Sequence, residues 1–156
     1  MAFSYDGWLA VAAGLVLVLA LGWHRRRRAA AKGRRESQQF FEHCPLPCYE
    51  ADGRGAIRRA NAAFCAMLGH SLSEILGRQC WEFVAEAGRQ AFRQAIEDKL
   101  AARRAAEVSE RTYARRDGGL LTVEVHESLI STAAGRITGI RFAMVDITER
   151  KRVLAE

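Results

Sequence analysis

Proline is nearly absent: the 156 residues hold two, Pro45 and Pro47, on either side of Leu46. A helix interior cannot use a residue without an amide proton, so this pair marks one firm boundary and no other comes from proline. Charge is missing altogether between Asp6 and Arg25. Also lacking are a Gly-rich phosphate loop, any kinase or cyclase motif and internal repeats, and the acidic residues are scattered along faces expected to meet water. No catalytic constellation is assembled, and a non-enzyme is expected. The net charge of +6 is local. The first 35 residues carry seven Lys or Arg against one Asp, and the remainder has 17 basic and 17 acidic side chains. A neutral domain offers no basic face to a polyphosphate, so nucleic acid is not an expected partner.

The uncharged stretch Gly7–Trp23 is 17 residues long and carries Trp8 and Trp23 at its ends. That is close to what spans a bilayer core of about 30 Å, with aromatic residues at the interfaces. Ala20 and Gly22 offer a small-x-small pair to a signal peptidase. Yet the positive cluster follows the apolar run, where it resists translocation. A single-pass anchor over 1–23 is therefore expected in the inner (plasma) membrane, N-terminus outside and the rest cytoplasmic. The run Arg25–Arg35 lies in a juxtamembrane linker over 24–43, where each basic residue adds about 1 kcal/mol of attraction to anionic lipid. It lacks the interleaved aromatics of a single-strand nucleic-acid site.

Four cysteines, Cys44, Cys48, Cys65 and Cys80, are present. In a cytoplasmic domain they are expected as reduced thiols. Cys44 and Cys48, next to His43, do not make a four-ligand zinc spacing.

The rest reads as alternating short elements. Ala29–His43 suits a helix ended by Pro45 and Pro47. Cys48–Ala51 and Ala56–Arg59 flank Asp52-Gly53-Arg54-Gly55, a hairpin signal. Helical spacing then takes over at Phe64, Met67, Leu68, Leu72, Ile75 and Leu76, with Asn61 as an N-cap, Gly69 and Gly77 as C-caps, and Ser71 with Glu74 as a capping box. Glu86–Arg104 is predicted as a long amphipathic helix with Phe92, Ile96 and Leu100 on one face. Val108–Arg115, Leu120–Ile130 and Ile137–Ile147, joined at Asp117-Gly118-Gly119 and Ala134-Gly135-Arg136, form an antiparallel meander. In it Leu121, Val123 and Val125 face inward, while Thr122, Glu124 and His126 face water.

Two strands, short helices, one long helix and three strands is the order of a PAS domain, and the residues resemble that family. IRRANAAFCAMLGHSLSEILGR is similar to its N-x-A-F…G-Y…E-l-x-G-r signature at Asn61, Ala62, Phe64, Gly69, Glu74, Leu76 and Gly77, with His70 in place of Tyr. RRDGGLLTVEV resembles its strand turn, and VDITERKR its terminus. The resemblance implies an α+β fold over 44–147: a five-stranded antiparallel sheet with flanking helices, and a C-terminal signalling helix beginning in 148–156. It also implies a sensor of ligand, redox state or light, or a mediator of dimer contacts, acting on an output module.

Within the family, light-oxygen-voltage photoreceptors carry G-x-N-C-R-F-L-Q, and GRQCWEFV aligns without a gap, placing Cys80 on their adduct-forming cysteine. That resemblance implies a flavin photoreceptor as the alternative function. A flavin's polar edge needs polar partners, because buried unpaired groups are costly. Trp81 stands at the phosphate Arg, Val84 at the first Gln, Val123 at a strand Asn and Met144 at the last-strand Gln. Only Gln79 keeps an amide. Cys80 is thus expected as a buried small residue opening a short helix. The long helix has no histidine to serve haem.

The hollow on the sheet's concave face, where a cofactor or ligand would sit, is expected to be lined by Phe64, Met67, Cys80, Trp81, Phe92, Tyr113, Val123, Val125, Phe142 and Met144, or filled by such side chains alone. Asp146 and Thr148 are expected to relay the signal, Asp146 as the helix N-cap. The expected partners are a second copy of the chain, a histidine kinase or cyclic-dinucleotide enzyme as output, and membrane lipid.

Overall fold

A computed structural model describes residues 37–155, so the expected membrane helix and the basic run lie outside the described residues. Among the described residues no helix is long and apolar enough to cross a membrane. Two units divide the chain, Met1–Phe40 and Phe41–Glu156. Helix α1 covers 37–43. The earlier part of the helix expected from Ala29 falls outside the described residues.

Strands β1 (Cys48–Asp52) and β2 (Ile57–Ala60) form the expected hairpin. Its turn is set by one carboxylate: Asp52 Oδ1 accepts from the amides of Arg54 at 2.9 Å and Ala56 at 3.1 Å. Helix α2 (Ala62–Leu68) is closed by Gly69, whose φ of 74° is the left-handed conformation glycine tolerates. Helix α3 (Leu72–Ile75) follows, with the Glu74 carboxylate accepting the Ser71 amide at 2.8 Å. Cys80–Phe83 is a short 3-10 helix. Helix α4 runs Glu86–Leu100 and stops four residues short of the expected Arg104. The reason is local: Ala102 takes a left-handed φ of 57°, which turns the chain out of the helix. Arg103 and Arg104 then pair with Asp98 and Glu107.

Strands β3 (Val108–Ala114), β4 (Leu120–Ser131) and β5 (Ile137–Asp146) make the meander, and helix α5 (Thr148–Ala155) ends the described chain. All five strands join one antiparallel sheet in the order β2-β1-β5-β4-β3. The hairpin and the meander therefore meet along β1 and β5, from Cys48 opposite Ala143 to Asp52 opposite Gly139. That seam needs its glycine, since a Cβ on Gly139 would lie 2.2 Å from the Ala51 carbonyl oxygen. Helix α4 lays Phe92 and Ile96, both fully buried, against the sheet, with Phe92 edge-on to Phe142 at 6.1 Å. Burying such side chains stabilises the fold by about 1.5–3 kcal/mol each.

One buried side chain ties the entry of the chain to this core. Asn61 Oδ1 accepts from the amides of Cys48 at 3.0 Å and Phe64 at 2.9 Å. Its Nδ2 donates to the carbonyls of Phe41, Cys44 and Leu46 at 3.3, 3.2 and 2.8 Å. Replacing it strands several buried backbone groups at once, so Asn61→Ala is expected to destabilise the fold by about 2–3 kcal/mol. Asn61→Asp keeps only the acceptor half and turns a carboxylate oxygen toward three buried carbonyls, so it should cost at least as much as the alanine. Urea denaturation followed by circular dichroism measures both; a loss below that of an ordinary surface cap would contradict this account.

Candidate functional site

The inward positions of the strands and the apolar face of α4 converge on one closed interior. Phe64, Cys80, Phe92, Tyr113, Val123, Val125, Phe142 and Met144 are all fully buried there, while Met67 and Trp81 are only partly buried and pack on its margin. Trp81 lies over the β1–β2 turn: a Cβ on Gly55 would come 2.3 Å from its ring. On another side the Arg93 guanidinium stands 5.5 Å from the Trp81 ring centre. Gly55 is thus a place where only glycine admits the neighbouring ring.

The centre belongs to a residue not anticipated from sequence, Tyr49 of β1. Its ring stacks on Phe142 at 4.4 Å and tilts against Phe64 at 4.7 Å. Its hydroxyl meets that of Tyr113 at 3.2 Å, and the fully buried Cys80 belongs to the same core cluster. Burial pushes all three groups up, the thiol to about 12. At neutral pH Cys80 is a protonated side chain in the core, opening the 3-10 helix, and has little of the thiolate character that makes cysteine reactive.

The positions that would hold a flavin are apolar and already packed. Val84, Val123 and Met144 are buried among core side chains, and stacked rings fill the concave face. The residues present do not fit the group.

A second buried cluster overturns the expectation that the acidic residues all face water. Glu127 follows Leu121, Val123 and Val125 on the inward side of β4, and its side chain is 0% exposed. Alternation along the strand would have found it. It is paired with Lys99 of α4, whose side chain is also 0% exposed. Lys99 stands three residues after Ile96 and seven after Phe92, on the apolar face by helical spacing. Glu107 adds an oxygen 3.3 Å from the Lys99 ammonium, and its own amide donates to Glu127 Oε2 at 3.3 Å. Glu127 Oε1 has no protein partner. On the adjoining inward positions of β3, Ser109 Oγ and Arg111 Nε are likewise buried without partners, and the Arg111 guanidinium lies 4.5 Å from the Phe92 ring centre.

At the far end, β5 passes into α5 through a polar joint. Asp146 Oδ1 accepts the Thr148 amide at 2.8 Å, so it caps the helix from one place before Ile147, whose carbonyl receives the first helical bond from Lys151 N at 2.9 Å. The Thr122 amide of β4 donates to Thr148 Oγ1 at 3.0 Å, the Ile147 amide to the Thr122 carbonyl at 2.9 Å, and Lys151 pairs with Glu110 of β3 at 2.6 Å. Asp146 and Thr148 are brought together, with Thr122 as the unanticipated third member. His126 is exposed and 2.8 Å from Glu124.

A five-stranded antiparallel sheet wrapped by short helices and one long one, closed over an aromatic interior, defines a PAS-type sensory domain. The family described as PAS fold matches residues 41–152, and the chain belongs to it. The C4-dicarboxylate transport sensor protein DctS of Rhodobacter capsulatus is 30% identical over 160 residues. That alignment takes in 94% of this chain and 23% of that protein, so the chain spans about a quarter of its relative's length. Among solved structures, the PAS domain of an HTR-like protein from Haloarcula marismortui superposes with a TM-score of 0.63 at 28% identity, over 80% of this chain and 99% of that one. An RNA-binding light-oxygen-voltage receptor gives 0.66 at 29% identity, over 73% of this chain and 33% of that one.

Removing one partner of a buried ion pair leaves a charge without compensation. Glu127→Leu is expected to cost about 3–5 kcal/mol, whereas Lys99→Met with Glu127→Leu should recover most of that loss. Chemical denaturation of the two variants measures it. Equal stability of the single and double variants would remove the pair from this role.

Proposed function

We propose that the chain is a membrane-anchored cytoplasmic sensory module that relays a ligand, redox or dimer-contact signal to an output module. Membership of the PAS family and the likeness to a sensor protein support the sensory part. The apolar run followed by arginines supports a single-pass anchor, N-terminus outside, with Arg25–Arg35 against lipid headgroups. It acts by binding and relay and catalyses no reaction, in keeping with a sequence that assembles no catalytic constellation. The output is a histidine kinase or cyclic-dinucleotide enzyme, joined beyond this chain or recruited by it. A second copy pairs with it, a reading supported by the exposed apolar residues Val108, Leu120 and Val145 together with Val153 and Leu154 of α5.

The observation that carries the relay is the joint between β5 and α5. One strand touches both ends of the path: Phe142 and Met144 lie in the interior, and Asp146, at its terminus, holds the first amide of the helix. A shift of β5 against β4 changes the Thr122–Thr148 contacts, and with them the pose of α5. Ligand or contact energy that favours one pose over the other is all such a switch requires.

Asp146→Ala should cost about 1 kcal/mol of capping and speed amide exchange across residues 148–155, with the sheet unchanged. Hydrogen exchange read by mass spectrometry on the full chain measures it. Unchanged protection of α5 would end this account of the relay. For the anchor, carbonate-washed membranes should retain the chain; its release into the wash would remove that part.

A further inference from the structure

The sheet ends at β3, which pairs with β4 on one side and has a free edge on the other. Which backbone groups lie along that edge follows from Thr122. Its amide donates to Thr148 Oγ1 and its carbonyl accepts the Ile147 amide, so both turn away from β3. Thr112, directly opposite Thr122, therefore turns its own N–H and C=O outward, and the carbonyl is met there by the Ala85 amide at 2.8 Å. By the two-residue period of a strand, Val108 and Glu110 present their backbone groups along the same edge. Among the described residues no backbone group pairs with them there. The charge that would guard such an edge is cancelled, because Glu110 is paired with Lys151 of α5 at 2.6 Å. On the inward side the strand carries Ser109 Oγ and Arg111 Nε, buried without partners, and Arg111 makes no ion pair among the described residues.

We propose that β3 is the interface between two copies of this chain: the free edges of two β3 strands pair antiparallel about a two-fold axis at Ser109, joining the two sheets into one. That the occupant is a second copy rests on the pairing proposed above; the edge and its register are new. Such a pairing sets outward residues against outward residues, which allows an axis at Val108, Ser109 or Glu110 within the free edge. An axis at Glu110 puts two like charges face to face, which is unfavourable. One at Val108 puts Ala105 opposite Arg111. The axis at Ser109 gives Arg111 a carboxylate, the partner's Glu107, whose Oε1 is held by Lys99 and Arg104 while Oε2 is left for the guanidinium across the interface. In the same register Val108 exchanges backbone hydrogen bonds with the partner's Glu110, and the two Ser109 side chains face each other. The interface also touches the relay. Glu110 holds Lys151, so the approach or separation of the copies bears directly on α5.

The test uses single cysteine replacements in the full chain, purified in mild detergent, oxidised with copper phenanthroline and digested with trypsin without reductant. Residues opposed in an antiparallel pair that exchanges no hydrogen bonds lie about 4.5 Å apart at Cα, within reach of a disulfide. Ser109→Cys is expected to yield the tryptic peptide 105–111 joined to its own copy, and more of it than Val108→Cys or Glu110→Cys yields. Val108→Pro removes an outward N–H at the first residue of the strand and spares the ladder to β4. By symmetry two hydrogen bonds are lost, so light scattering should show the dimer dissociation constant raised by about tenfold or more, with circular dichroism unchanged. Stronger cross-linking through Val108→Cys or Glu110→Cys, or a dissociation constant that Val108→Pro leaves unmoved, would overturn the proposal. A dimer in light scattering whose Ser109→Cys form stays unlinked would overturn it too, and would leave the pairing of copies to another surface. A monomer at every concentration would end both.

Discussion

The carboxamide of Asn61 is the contact on which the arrangement of this domain depends. Five buried or half-buried backbone groups from the approach to β1, from β1 itself and from the first turn of α2 converge on one side chain. Backbone polar groups away from water must be paired. The irregular turn through Pro45 and Pro47 supplies no ladder of its own to pair them. Asparagine alone among short side chains offers a donor and an acceptor at this reach. With the turn fixed, β1 enters at the register that brings Tyr49 over Phe142, and the aromatic interior closes around that stack.

The interior so formed is divided. One part is aromatic and dry, centred on Tyr49, Phe64, Phe92 and Phe142. The other, at the junction of α4 with β4, is ionic and holds carboxylate and guanidinium atoms without protein partners. Buried charge seldom adds stability over a well-packed apolar alternative. Here it joins the last turn of α4 to β4, just before Ala102 turns the chain away. A sensory domain whose chief interior handles are Lys99, Glu107, Glu127 and Arg111 has a chemistry different from one built around flavin, despite a cysteine in the corresponding place.

Much of this was legible in the sequence, for identifiable reasons. Period-two alternation marked the meander, and side-chain caps marked α2 and α3, because both signals are local. Glu127 and Lys99 were equally legible by spacing and were missed by treating charge as a sign of exposure. Tyr49 sits in a strand of five residues, too short for alternation to single it out. The early end of α4 depends on one left-handed alanine, which no propensity anticipates. The seam between β1 and β5 joins residues some ninety positions apart, as Asp52 opposite Gly139 shows, and nothing local announces it.

That seam governs the order in which the domain can be assembled during synthesis. β1 and β2 leave the ribosome before the meander, and the other edge of β1 has no partner until Gly139–Ala143 has been made. Closing so long a loop is slow compared with forming a hairpin. For the interval between, a nascent chain presents an open strand edge bearing Tyr49, a template for pairing with neighbouring chains. The nascent segment from β2 to β4 is therefore the stage at which a chaperone or crowded polysomes would matter most to the yield of this protein.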